Sequence, residues 1–187
     1  MSLLAFCEWL AATNGSIALH ESLYMYPMVE SAHVLTLCAF VGLAFILDLR
    51  LLGLAFKQTP VSEVAKLLPW SVVGFVVMVI TGLLLFYAIP VRTYQSVFFR
   101  AKVIFLILAG LNVWFFNSRV YRRLSDWDHL VVTPRPARMA AVISLVLWAA
   151  IIVAGRMIAY NWFDCDLQPQ SAFINWAAGC VVNPGPQ

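Results

Sequence analysis

Charge is the scarcest commodity in this sequence. Twelve Lys or Arg and nine Asp or Glu make up 11% of 187 residues, against about 25% in a soluble domain. With 63% hydrophobic residues and a mean hydropathy of +0.86, the chain has too little polar surface for a water-soluble fold. No Lys or Arg precedes Arg50, so the first residues lack the basic start of a secretory signal, and the N-terminus is expected to be retained. Histidine is equally sparse, at His20, His33 and His129, with no Cys-x-x-Cys or His-x-x-x-His spacing, so no motif marks a structural zinc site. No internal repeat, low-complexity tract or sustained heptad is present, which excludes solenoids and coiled coils. The few cations gather at the ends of apolar runs rather than in a patch, a topology signal that excludes nucleic acid as a partner.

What is there is apolar sequence in long runs. Stretches free of Lys and Arg cover Met28 to Leu47, Leu67 to Val91, Val103 to Ser118 and Met139 to Gly155, and a bilayer-spanning helix needs about 20 apolar residues. Prolines punctuate them: Pro27 in the first turn, Pro60 and Pro69 before the second, Pro90 at its close, Pro134 and Pro136 before the fourth. The expected fold is all-α, an integral membrane four-helix bundle with spans at about 28–50, 67–90, 99–123 and 137–160. Residues 1–26 form an interfacial segment of one or two helices, capped by Asn14 and Ser16, and complete a membrane domain over 1–163. Residues 164–187 form a short extracytoplasmic tail. The first connection carries Arg50, Lys57 and Lys66, and the third carries Arg119, Arg122, Arg123, Arg135 and Arg138. The positive-inside rule puts both of these in the cytoplasm and both termini outside. Cys165 and Cys180 then lie in an oxidising compartment, where a disulfide would contribute about 3 kcal/mol.

An ionisable residue inside a membrane is a functional candidate by default. Glu30 and His33 stand three apart on the first span and share a face. Arg100 and Lys102 open the third span and Arg156 ends the fourth, at about the same depth, so three helices would set cations around this pair. A cationic rim above a bundle suits a cofactor with acidic groups, such as haem, and His33 is the candidate axial ligand of a haem b. His20 and Met157 are candidates for the second ligand, and His129 lies at the wrong end. A metal reading of His20, Glu21, Glu30 and His33 competes and ranks lower. Asp48 and Arg50 at the far end read as anchors to the third connection, and Asn112 as an interhelical hydrogen bonder. Trp70, Tyr94, Trp127, Tyr160 and Trp162 fit an aromatic belt.

The pattern Tyr26-Pro27-x-x-Glu30-x-x-His33, Gly42, Asp48-Leu-Arg-Leu-Leu-Gly53, Pro69-Trp70, Thr81-Gly82, Phe99-Arg100-x-Lys102 and Gly155-Arg156 resembles a bacterial family of four-span inner-membrane proteins of unknown function. More distantly, the His-bearing first helix resembles those of the CopD copper-resistance proteins and the HemJ type of protoporphyrinogen oxidase. The distant resemblance implies a haem, porphyrin or copper setting at His33. Unlike bis-histidine relatives, the chain has no histidine in its second, third or fourth span. The expectation is a membrane-anchored redox subunit of the bacterial inner membrane, carrying electrons between a periplasmic redox partner and the quinone pool. The alternatives are a non-catalytic accessory subunit of a larger complex, and a metal-handling protein or small transporter.

Overall fold

The structure is a computed structural model that describes residues 2–160, 162, 163 and 165–181. Two short helices come first, α1 (Leu3–Ala11) and α2 (Asn14–Glu21), followed by the long α3 (Met25–Leu52). Thr13, not Asn14 or Ser16, is the N-cap of α2, its hydroxyl accepting from Ser16 N. Asn14 is instead the first helical residue. The next elements are α4 (Val61–Ala65), α5 (Leu68–Ala88), α6 (Pro90–Tyr94) and α7 (Val97–Phe115). A π-helical turn (Phe116–Val120) and a 3-10 turn (Tyr121–Asp126) prolong α7, and α8 (Arg135–Met157) and α9 (Ala172–Ala178) complete the chain. No strand occurs among the described residues.

Four helical stretches are long and apolar enough to cross a membrane: Met25–Leu52, Val61–Ala88, Val97–Asp126 and Arg135–Tyr160. The chain is a multi-pass membrane protein with an all-helical bundle. Local signals set the boundaries. α3 ends where Gly53 takes a left-handed conformation and returns its N–H to Arg50 O, a conformation that costs glycine nothing. Ser96 caps α7 through Phe99 N, and Pro134 and Pro136 open α8, where a missing N–H does no harm. Ile89 breaks the second span and Pro90 starts α6.

α3 is the central helix, packing against α5 and α8, and α7 packs on α8. Mid-depth, Phe40, Val41, Met78, Ala109, Leu147, Trp148 and Ile151 form one core, with Phe40 edge-on to Trp148 at 4.7 Å. A second core of Leu47, Leu51, Val61, Val64, Val120, Trp127, Ala137 and Ala141 closes the end where the connections before α5 and α8 meet. At the opposite end α1 and α2 rest on α5 and α6, tied by Ser16 Oγ to Tyr87 O (2.7 Å) and by Thr13 Oγ1 with Tyr87 Oη (2.8 Å). The tail helix α9 rests on α7 at that same end. The described parts of both terminal segments therefore share one end of the bundle. Eight of the twelve Lys and Arg lie at the other.

Candidate functional site

The most informative side chain is His33, half-buried on α3. Its Nδ1 lies 3.0 Å from Oγ1 of Thr81 on α5. The Thr81 hydroxyl is also 2.9 Å from Val77 O and 3.1 Å from Met78 O, the carbonyls one turn back along its own helix. With the Thr81 proton on those carbonyls, the usual arrangement of a helical threonine, Oγ1 accepts from Nδ1, and Nε2 of the neutral ring is the nitrogen left with a lone pair. Close approach of the ring depends on Gly82, where a Cβ would stand 3.2 Å from His33 Cε1. From α7, Lys102 reaches toward α8, its Nζ 3.3 Å from the place a Cβ on Gly155 would take. Each of the four spanning helices thus contributes to one polar layer: His33, Thr81 with Gly82, Lys102 and Gly155.

The other residues of the expected rim are used differently. Arg100 donates from Nε to Tyr94 O (3.2 Å) and from Nη1 to Ala177 O (2.9 Å), and it lies over the Tyr94 ring. It fastens the tail rather than facing His33. Arg156 is exposed and stacks on Tyr160, 5.0 Å from the ring centroid. The rim of three cations is therefore divided, with Lys102 directed toward α8 at Gly155. Glu30 is exposed, and Met157 is half-buried at the last turn of α8. His20 is exposed on α2 and edge-on to Tyr26 at 6.3 Å. It lines an open cleft of about 350 Å³ with Ser16, Glu21, Pro90 and Arg92, a cleft that does not include His33. Among the described residues no three His, Cys, Asp or Glu side chains gather as a metal would need, so His20, Glu21, Glu30 and His33 make no ready metal centre. Cys165 and Cys180 are joined by a disulfide, with Cα atoms 5.2 Å apart. His129 is exposed in the connection before α8.

A second polar layer lies beyond the mid-depth core. Asp48 and Arg50 are buried, at 6% and 1% exposure. Arg50 donates from Nε to Thr59 O (2.5 Å) and from Nη2 to Leu130 O (3.2 Å), clamping the connections on either side of it. Its link to the third connection runs through a backbone carbonyl rather than an acidic side chain. Asp48 Oδ2 is buried with no hydrogen-bond partner among the described residues, and Thr133 Oγ1 donates to Leu51 O. Asn112 Nδ2 donates to Ala140 O across the helix interface (3.0 Å), the interhelical bond expected of it. In the connection, Asp128 accepts from Ser62 N (2.8 Å) and Ser62 Oγ (2.6 Å), capping α4 from 66 residues away. Burial alone would raise the Asp128 carboxyl, but the two Ser62 bonds and the nearby His129 outweigh it and hold it below the usual range.

Residues 6–161 match a family of unknown function, DUF6644. The chain belongs to this family. No curated protein and no solved structure matches it, so within DUF6644 the chemistry of this chain has to be argued from its own residues. Thr81 is the participant to which sequence reasoning gave no role. Its signal was there, a hydroxyl beside a glycine in an otherwise apolar span, but its partner is 48 residues away.

Proposed function

We propose that this chain is a membrane-anchored redox subunit that contributes His33 as an axial ligand to a haem b. The observation that carries the reading is the contact of His33 Nδ1 with Thr81 Oγ1 at 3.0 Å, the kind of partner on one ring nitrogen that orients the other toward iron. Gly82 leaves the ring room beside α5, and Lys102 supplies a cation for an acidic group. Such a haem would supply one-electron transfer, here between a periplasmic partner and the quinone pool. Neither described cleft includes His33, and neither His20 nor Met157 is seen to contact it. In this reading the second ligand comes from a partner chain or a second copy, which makes the protein a subunit. The same reading carries an orientation, supported by the charge distribution and the disulfide. The end with eight of the twelve cations faces the cytoplasm of a bacterial inner membrane, and the disulfide-bonded tail faces the periplasm.

The experiment is a reduced-minus-oxidised visible spectrum of protein made with ample haem and purified in detergent with any chain that travels with it. A b-type signal lost in His33→Ala and altered in Thr81→Val supports the reading. A colourless preparation overturns it. The second reading, an accessory subunit, is favoured by the third spanning stretch. Only 6% of its most apolar window is buried in the chain, a face open to lipid or to a partner helix. A colourless protein that co-purifies with another membrane chain would establish that reading instead.

A further inference from the structure

At the arginine-rich end, an open cleft of about 430 Å³ is lined by Leu52, Leu54, Arg135, Arg138, Met139 and Val142. Its walls are apolar and its two polar side chains are both arginines. Leu54, Met139 and Val142 are 69%, 61% and 46% exposed, an apolar surface at the end of the spans, where acyl chains begin. Arg138 Nε is buried and has no hydrogen-bond partner among the described residues. A guanidinium with donors to spare pairs best with a phosphate or carboxylate, whose oxygens match its planar fork. No acidic side chain lines the cleft, so nothing in it satisfies the two charges.

We infer that this cleft binds an anionic phospholipid, its headgroup phosphate held by Arg135 and Arg138 and the start of an acyl chain laid along Leu52, Met139 and Val142. Two fixed cations favour a headgroup of net negative charge over a zwitterionic one, and basic pockets between spanning helices are suited to such lipids. The apolar walls select a lipid over free phosphate, which would gain nothing from them. The inference stands apart from haem binding at His33, which lies beyond the mid-depth core at the other end of α3.

The test is native mass spectrometry of the delipidated protein in detergent, titrated with phosphatidylglycerol, with phosphatidylcholine of the same acyl chains, and with inorganic phosphate. The variants are Arg135→Gln/Arg138→Gln, which removes the charge, and Val142→Trp, which fills the cleft and keeps it. The expected result is a saturable phosphatidylglycerol adduct in the wild type. It should weaken about thirtyfold in the double variant, at roughly 1 kcal/mol per arginine, and weaken in Val142→Trp as well. Phosphatidylcholine should bind at the level of the double variant. Equal phosphatidylglycerol binding by wild type and both variants would overturn the site. Equal affinity for phosphatidylcholine would overturn the charge selection, and phosphate binding as tightly as the lipid would overturn the acyl-chain role. If the double variant does not fold, Val142→Trp and the lipid comparison in the wild type decide the matter alone.

Discussion

Two polar layers are buried in this bundle, and they put their side chains to different uses. At the arginine-rich end, Arg50 donates from Nε and Nη2 to the carbonyls of Thr59 and Leu130, so two connections are pinned to α3 by one side chain, while its Nη1 is buried with no hydrogen-bond partner among the described residues. At the other end, His33 Nδ1 meets the hydroxyl of Thr81 on the neighbouring helix. The apolar core of Phe40, Met78, Leu147 and Trp148 lies between the layers and separates them. A buried charge or imidazole is therefore not informative until its hydrogen bonds are counted. Arg50 joins backbone from two separate connections and so holds the fold together, whereas His33 is met by one side-chain hydroxyl and joins only two helices.

The comparison can be broken most forcefully at Arg50. Arg50→Ala removes two charged hydrogen bonds from a buried guanidinium and unpins two connections, so a loss of about 3 kcal/mol is expected in thermal unfolding in detergent. Arg50→Lys should recover little of it, because a single ammonium cannot span both carbonyls. Removing the disulfide with Cys165→Ser should cost the tail a comparable amount, about 3 kcal/mol for a loop of this length. That loss should appear as faster proteolysis of the tail with little change in the melting of the bundle, because α9 rests on the bundle chiefly through α7.

A smaller effect is expected at Asp128, whose replacement by Ala strips α4 of its cap and should cost about 1 kcal/mol. The sign of its pH dependence is fixed by its depressed pKa. The contribution is fully present above the unfolded carboxyl value of about 3.9 and is lost as pH falls through the lower folded value. A stability difference between wild type and Asp128→Ala that grew on acidification would contradict this. The smallest change in stability, under about 1 kcal/mol, is expected for His33→Asn. If that variant melts as early as Arg50→Ala, His33 is structural and the contrast between the layers fails.

Much of the architecture could be read along the chain. Apolar runs separated by proline and by clustered cations mark four spans, and Asn112, a lone amide in an apolar run, had few roles open to it but an interhelical bond. The candidate site was legible only in part. Arg100 and Lys102 are two residues apart, so about 200° of helix rotation separates them, and that rotation sends one to the tail helix and the other toward α8. Grouping both with Arg156 by depth alone overlooked this. The partners of Arg50 are carbonyls of Thr59 and Leu130, which carry no side-chain signature at all.

The sequence by itself therefore determined how many times the chain can cross a bilayer and roughly where each spanning run lies, because those depend on apolar length and on local backbone chemistry at Pro, Gly and Ser. Only the tertiary structure decided which polar groups meet. Thr81 is set against His33 and Ala177 against Arg100 by helix rotation and packing, whose determinants lie on different helices and leave no local trace.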